Sequence, residues 1–109
     1  METKFTDHYN TVNAYYLKNW DKICPGWNKI IGPLVEFCQR HNIQIHQIKE
    51  KFGALRFYTS SAPDVFYDMV RIAEWGSTLT CEICGEAGTN ECINGWYATH
   101  CPEHRGKRG

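Results

Sequence analysis

Two short pairs of metal-binding residue types lie near the C-terminal end of the sequence. Cys81 and Cys84 belong to a C-x2-C-G run that ends at Gly85, and Cys101 and His104 form a C-x2-H pair 16 residues further on. Two close pairs separated by a loop suit tetrahedral Zn²⁺, because each short loop supplies two ligands from one side. The sequence therefore predicts one structural zinc ion, with a closed coordination shell made by these four side chains.

The residues between the two pairs predict a second structural feature, a β-hairpin. Asn94-Gly95 is typical of a two-residue type I′ turn, and the flanking residues are strand formers. The turn at residues 81–85, called here the knuckle, is followed by this hairpin and then by the second ligand pair, which is the order of a treble clef. Pro102 suits the first position of a helix, so we expect a helix to start at the second pair. Cys92 and His100 are spare candidates, and either could replace one of the four ligands.

A basic and aromatic segment precedes the metal-binding residues. The alternating residues 43–45 and 54–58 predict an earlier hairpin that turns at Lys51-Phe52-Gly53, with a bulge near residues 46–47. Arg56 and Tyr58 then lie on the face opposite the core, and Lys49 and Lys51 approach the same end. Two ammonium groups, a guanidinium and a phenol ring could bind a phosphate and stack on a base. The alternative is an ordinary solvated face of a sheet.

Helices are predicted before and after this hairpin. Apolar residues spaced three and four apart, among them Tyr9, predict a first helix from about Asp7, its cap, to Lys22. The same pattern predicts a second helix from Trp27 to about His41. Because Gly32-Pro33 falls inside it, we expect either a kink or a short helix followed by one that starts at Pro33.

A third helix is expected to begin at a capping box, residues 61–64, and to end near Trp75. Its predicted core-facing residues are Val65, Met69, Ile72 and Ala73. The fold class is therefore α+β, with N-terminal helices packed on a β-hairpin or small antiparallel sheet and a C-terminal treble-clef-like zinc element. We expect residues 1–78 to form the core and residues 79–109 the zinc element, packed together as a single compact unit.

The composition narrows the classes of function. The 109 residues carry 12 basic and 12 acidic side chains, and this zero net charge argues against a general nucleic-acid coat. No apolar run is long enough for a membrane span, and the start METKFTDHYN lacks the pattern of a signal peptide. We therefore expect a cytoplasmic protein, whose six cysteines favour metal binding over disulfides.

Four segments together resemble a known group of proteins. The run KEKFGALRFY, a helix ending in AEW, and the segments CEICGEAG and GWYATHCPEH are similar to small proteins found in bacteriophage and prophage genomes. The similarity extends from about Trp27 to His104. It implies a phage setting, within the cytoplasm of a bacterial host cell, and a zinc-bearing fold. It implies no established activity.

The sequence leaves three classes of function open. The first is a non-catalytic binder that counters host defence by sequestering a small nucleotide-type signal or by blocking a host protein, and it fits the neutral charge best. The second is a nucleic-acid-binding zinc module that uses Arg105, Lys107 and Arg108 with the hairpin lysines. The third is a metal-dependent nuclease, for which the hairpin offers only His100 and Glu91. A homo-oligomer is compatible with all three.

Overall fold

The structure, a computed structural model, describes residues 4–106, with side chains described from residue 11 onward. Within that range, three α-helices pack with two small antiparallel sheets and a C-terminal cluster of cysteine and histidine, so the predicted α+β class is confirmed. The helices are α1 (Lys4–Asn19), α2 (Asn28–Arg40) and α3 (Asp64–Ser77). The strands are β1 (Ile45–Lys51), β2 (Ala54–Thr59), β3 (Thr89–Ile93) and β4 (Trp96–His100).

Helix α1 begins earlier than predicted, so Asp7 lies inside it and does not cap it. The chain continues beyond Asn19 as a 3₁₀ turn to Lys22, close to the predicted end. The apolar residues at its C-terminal end pack against the core, as expected from their spacing. The Tyr9 side chain lies outside the described side chains.

Helix α2 has the predicted apolar face, and it is continuous. Pro33 lies inside this one helix, so the alternative of a short helix followed by another that starts at Pro33 is wrong, and the kink stays a prediction. Proline removes one N–H that would otherwise bond to the Lys29 carbonyl, and both residues are exposed, so water can satisfy this carbonyl. The residues that α2 buries are Ile31, Leu34, Val35 and Cys38.

Strands β1 and β2 form the predicted hairpin, including its bulge at His46. Phe52 and Gly53 form a two-residue turn, and both have positive φ, 55° and 77°. This is the type I′ conformation, whose twist matches that of paired strands. The register places Lys49 directly opposite Arg56 and Lys51 opposite Ala54.

Helix α3 is rotated relative to the prediction. Val65 and Ile72, which were expected in the core, are 56% and 68% exposed, whereas Phe66, Val70 and Ser77 are buried. Met69 and Ala73 are half-buried against the core. The predicted capping box is not formed, because Pro63 occupies the N-cap position and the helix has no side-chain cap.

The orientation of α3 is explained by its hydrogen bonds to the edge of β2 that is not paired with β1. Along this edge, the Leu55 N–H donates to Ser77 Oγ over 2.9 Å, and the Phe57 N–H donates to Glu74 Oε2 over 3.2 Å. An unpaired backbone N–H buried against a helix is costly, so the helix must turn its polar side chains towards the strand. That rotation brings Phe66 into the core and directs Ile72 outward.

Strands β3 and β4 form the second predicted hairpin, with Asn94 and Gly95 as its type I′ turn at φ values of 53° and 83°. A short 3₁₀ turn, Pro102–His104, follows β4 at the place where the treble-clef order predicts a helix. Within residues 4–106, no helix is long and apolar enough to cross a membrane.

Candidate metal centre and binding groove

The four predicted metal ligands lie together. The ligand atoms of Cys81, Cys84, Cys101 and His104 are all within 4.8 Å of one another. The Cys84 and Cys101 sulfurs are 3.6 Å apart, and His104 Nδ1 lies 3.6 Å from Cys81 Sγ and 3.2 Å from Cys101 Sγ. A tetrahedral ion with metal–sulfur bonds of about 2.3 Å separates its sulfurs by about 3.8 Å. The cluster therefore fits a metal ion, and these distances are too long for a disulfide.

The turn that presents the first two cysteines depends on two glycines. Gly85 has φ of +86°, which an L side chain rarely adopts, and its N–H donates to the Cys81 carbonyl over 2.9 Å. Gly26, which precedes α2, donates its N–H to the Glu82 carbonyl over 3.0 Å. A Cβ atom on Gly26 would lie 2.0 Å from the Cys81 carbonyl oxygen, so only glycine allows the core to approach the knuckle this closely.

The electrostatics of the cluster favour a cation. Burial alone raises the pKa of the Cys81 thiol, but the backbone N–H groups of residues 101, 84 and 83 and the His104 ring lower it to about 6. At Cys84, a backbone N–H at Glu86 lowers the pKa, but burial and the neighbouring sulfurs raise it to about 11. Adjacent thiolates repel each other, and a metal ion among them removes that repulsion.

The other cysteines lie outside the cluster. Cys24 and Cys38 are buried, and burial raises the pKa of each thiol to about 12, with Glu82 and Glu50 contributing at Cys24. Cys38 is thus the small core residue that its place in the α2 pattern predicts. Cys92 is exposed on β3 and is not among the clustered ligands.

His100 is the second spare ligand, and it also lies outside the cluster. Its ring is 5% exposed, and Nε2 lies 4.0 Å from Glu82 Oε1. This nitrogen is buried and has no hydrogen-bond partner in the part of the chain that the structure describes. Burial raises the pKa of Glu82, whose other carboxylate oxygen accepts a hydrogen bond from the Thr99 N–H over 3.2 Å.

The C-terminal segment has almost no apolar core of its own. Beyond Ser77, the buried residues of the described chain are Cys81, Thr99, His100 and Cys101. Polar contacts join this segment to the core: the Trp27 ring N–H donates to the Thr80 carbonyl over 2.8 Å, and the Thr99 hydroxyl donates to the Gly53 carbonyl over 2.7 Å. A bound metal is therefore the main source of order available within the segment.

A groove of about 840 Å³ separates the two hairpins, and part of the predicted ligand surface borders it. Lys49 and Lys51 line the groove, whereas Arg56 and Tyr58 do not. The register nevertheless places all four on one face of the first hairpin, where Arg56 donates to the Leu55 carbonyl and Tyr58 is 46% exposed. Their role in ligand binding stays a prediction.

The groove also has exposed aromatic rings that were not predicted from the sequence, one on the first hairpin and two on the second. Phe52, Trp96 and Tyr97 line the groove and are 60%, 57% and 48% exposed. The Phe52 and Tyr97 rings meet edge to face at 5.5 Å, and Lys51 Nζ lies 5.7 Å from the centre of the Phe52 ring. Two signals in the sequence mark these residues: Phe52 replaces the usual asparagine or glycine of a type I′ turn, and Trp96-Tyr97 follows the other turn directly.

The acidic side chains that line the groove accept hydrogen bonds from the backbone, whereas its two lysines form no salt bridge with the described side chains. Glu50 Oε2 accepts a hydrogen bond from the Gly53 N–H over 2.7 Å, and Glu82 is engaged by the Thr99 N–H. Lys49 and Lys51 form no salt bridge with any side chain that the structure describes, residues 11–106. The ammonium groups can therefore meet an anion, while the carboxylates hold the backbone.

Arg105, predicted to contact nucleic acid in the second class of function, binds Glu91, the carboxylate of the predicted nuclease. Arg105 donates to both carboxylate oxygens of Glu91, over 2.9 and 3.3 Å. The predicted nucleic-acid contact and the predicted nuclease carboxylate thus form one ion pair. Lys107 and Arg108 lie outside the described residues.

Comparison with known proteins adds no family to this description. The sequence matches no protein-family model, and no curated protein or solved structure is significantly similar to it.

Proposed function

We propose that the chain is a non-catalytic binding protein that binds a small nucleotide-type ligand in the groove between its two hairpins. One structural Zn²⁺ holds the second hairpin, and with it one wall of the groove, in place. The observation that carries this proposal is that two lysines with no described salt bridge and three exposed aromatic rings line one groove.

Zinc is the metal that suits the cluster best. Three thiolates and one imidazole are soft and borderline ligands, which select zinc over magnesium or calcium. The protein supplies all four ligands of a tetrahedral shell, and a catalytic zinc ion needs one position for water or substrate. The ion therefore has a structural role.

The groove has the size and chemistry that a nucleotide requires. Its volume of about 840 Å³ lies within the range of small-molecule sites, about 300–1,000 Å³. Lys49 and Lys51 offer ammonium groups for a phosphate, and Phe52, Trp96 and Tyr97 offer ring faces for a base. Stacking on an aromatic side chain contributes about 1–3 kcal/mol per base.

A ligand with more than one phosphate can extend from the groove along the first hairpin. Arg56 is the cross-strand partner of Lys49, so its guanidinium is next along the same face. Tyr58 follows Arg56 on that face and offers a further ring. Cyclic di- and trinucleotides carry this combination of several phosphates and several bases.

The biological setting that we propose rests on the resemblance to phage proteins. In the cytoplasm of an infected host cell, a stoichiometric binder lowers the free concentration of a nucleotide signal without any catalytic step. Blocking a host protein is the other form of this proposal. In that case the same exposed aromatic rings would contact a protein surface.

A thermal-shift panel tests the proposal. The zinc-loaded protein is heated with mononucleotides and with cyclic di- and trinucleotides, and inorganic phosphate serves as the reference anion. A ligand present at 100 times its Kd adds about 2.7 kcal/mol to the free energy of unfolding, a rise in Tm on the order of 10 °C for a domain of this size. Lys49→Gln and Lys51→Gln should each reduce the rise in Tm. Lys29→Gln is the control, because Lys29 is an exposed residue of α2 outside the groove, and it should leave the rise unchanged.

Other outcomes favour the alternatives. If no nucleotide raises Tm and a host protein is retained by the native chain but not by Trp96→Ala, the protein-blocking form is supported. Retention of duplex or single-stranded DNA that falls steeply with salt would support the nucleic-acid module. Metal-dependent cleavage of plasmid that is lost in His100→Ala would support the nuclease.

A further inference from the structure

Two carboxylates, those of Glu50 and Glu82, line the groove together with its two lysines. Strand alternation turns Glu50 towards the core face of β1, away from Lys49 and Lys51. Burial, and after it the charges of Glu82 and Glu50, raise the pKa of the Cys24 thiol, which also lines the groove. Because the effect of a charge weakens with distance, both carboxylates lie near this one point of the groove.

Each carboxylate has one oxygen bound to the backbone and one oxygen open. Glu50 Oε2 accepts a hydrogen bond from the Gly53 N–H over 2.7 Å, and Glu82 Oε2 accepts one from the Thr99 N–H over 3.2 Å. Within the described side chains, residues 11–106, no lysine or arginine pairs with either carboxylate, and neither Oε1 atom accepts a hydrogen bond. Two acceptor oxygens at the groove thus lack a donor from this part of the chain.

The Glu82 carboxylate is also held in a fixed position by its backbone. The Glu82 N–H donates to the Thr99 carbonyl over 2.9 Å, and the Glu82 carbonyl accepts from the Gly26 N–H over 3.0 Å. A preorganised acceptor loses little conformational entropy when a ligand binds, so it contributes more to affinity than a mobile one.

A buried histidine beside Glu82 also lacks a partner. The His100 side chain is 5% exposed, and its Nε2 atom is buried with no hydrogen bond in the part of the chain that the structure describes. This atom lies 4.0 Å from Glu82 Oε1, which is beyond hydrogen-bond distance. Buried polar atoms nearly always have a partner, so an orphan nitrogen next to an open carboxylate oxygen points to a polar group supplied from outside the chain.

We propose that the groove selects guanine, whose N1–H and N2 amino group donate hydrogen bonds to the open oxygens of Glu82 and Glu50, a selectivity that rests on the nucleotide-binding function proposed for the groove. A carboxylate is an acceptor only, so it requires donors from its ligand. Guanine is the base that carries a ring N–H and an amino group side by side on one edge. Adenine and cytosine present a ring nitrogen lone pair at the corresponding place, and a carboxylate repels it.

The charges of the groove also fit the two ends of a guanine nucleotide. The donor edge of guanine points away from the ribose, so a base bound at the carboxylates leaves its phosphate free to reach Lys49 and Lys51, on the other face of β1. The exposed rings of Phe52 and Tyr97 line the same groove and can stack on the base. Acidic and basic groups that oppose each other in net charge thus serve different parts of one ligand.

Calorimetric titration of the zinc-loaded protein tests this selectivity. The probes are the monophosphates of guanosine, inosine and adenosine, and the cyclic dinucleotides of guanine and of adenine. In each series the guanine nucleotide should bind about 10- to 100-fold more tightly than the adenine nucleotide, which is the discrimination that a good bidentate contact to a base provides. Inosine keeps the N1–H but lacks the amino group, so its affinity should lie between the two.

Glu82→Gln should abolish the preference. The glutamine carbonyl oxygen can still accept from the Thr99 N–H, and its amide then presents donors where guanine also donates. Guanine affinity should fall by about tenfold or more, and adenine affinity should not fall. Glu50→Gln should reduce the preference in the same direction. Glu36→Gln, at an exposed carboxylate of α2 outside the groove, is the control and should keep the native ratio of affinities.

The native ratio decides whether guanine is selected even if a variant folds poorly, and the zinc content of each variant identifies such a loss of folding. Equal affinities for guanine and adenine nucleotides overturn the selection of guanine but leave the nucleotide site in place. A preference that survives in both Glu82→Gln and Glu50→Gln overturns the role of the carboxylates. If no nucleotide binds the native chain, the proposed function fails, and the selectivity with it.

Discussion

Thr99 donates its hydroxyl hydrogen to the Gly53 carbonyl oxygen over 2.7 Å, and this buried bond joins the tip of the first hairpin to the second. The same hydroxyl oxygen lies 3.1 Å from Asn90 Nδ2, whose amide also donates to the Phe52 carbonyl. A Cβ atom on Gly53 would lie 2.8 Å from Ala98 Cα, so the two backbones are in direct contact. The groove exists because the hairpins touch at this point and diverge beyond it.

Replacing Thr99 by valine should weaken this junction. The substitution conserves shape, but it leaves the Gly53 carbonyl without its buried donor, a loss of about 1–3 kcal/mol in the free energy of unfolding. Urea unfolding of the zinc-loaded protein measures the change. Thr89→Val, at an exposed residue of β3, should change stability by less than about 0.5 kcal/mol. Equal effects of the two substitutions would contradict the assigned role of Thr99.

Removal of the metal should disorder the C-terminal segment while much of the helical core survives. Between the knuckle and residue 106 the described chain buries no large apolar side chain, so nothing replaces the ligand bonds. Hydrogen exchange should show loss of protection in β3 and β4 after chelation or in Cys81→Ser, and retained protection in α2. Cys92→Ser is the matched control and should keep both the metal and the protection.

Elemental analysis of the native protein completes that test. One zinc per chain is expected, and Cys81→Ser should hold much less. A native protein without metal whose β3 and β4 amides remain protected would show that the segment is ordered by other contacts.

Phe52→Asn should separate stability from ligand binding. A phenylalanine held at φ of 55° is strained by about 1–3 kcal/mol, and asparagine adopts this turn position readily. The lost contact with the Tyr97 ring offsets part of the gain, so the free energy of unfolding should rise by about 1 kcal/mol. Nucleotide affinity should fall about tenfold because one stacking surface is removed.

Asn94 provides the reciprocal control for this prediction, because it occupies the same position in the turn of the second hairpin. Asn94→Phe should lower the free energy of unfolding by about 1–3 kcal/mol. Calorimetric melts measure the stability of both variants, and calorimetric titrations measure their affinity for nucleotide. A Phe52→Asn protein that binds nucleotide as the native chain does would remove Phe52 from the proposed site.

Alkaline pH should destabilise the fold through its buried thiols. Burial raises the pKa of Cys38 to about 12 in the folded chain, above its ordinary value of 9.0. The folded state therefore holds this proton more tightly, and the resulting stability is present below about pH 9 and is lost as the pH rises towards 12. Denaturant unfolding at several pH values should give a steeper decline for the native chain than for Cys38→Ala. Cys92→Ala, at an exposed site, should keep the native slope.

The sequence by itself determined the features that depend on spacing within a short segment. Two C-x2 pairs identify the four clustered ligands, and two turns with glycine at the second position identify the hairpins, because these geometries are encoded within a few residues. The apolar spacing of α2 likewise identifies its buried face, since its strongly apolar residues fall on one side. The choice of Cys81, Cys84, Cys101 and His104 over the spare Cys92 and His100 followed from the same close spacing.

Tertiary structure alone decided which face of α3 is buried and where the groove lies. Val65 and Ile72 are as apolar as Phe66 and Val70, so periodicity cannot distinguish the two faces. The unpaired N–H groups of β2 make the distinction, because they require Ser77 and Glu74 on the inner side. The groove depends in the same way on contacts between residues far apart in sequence, which local spacing does not encode.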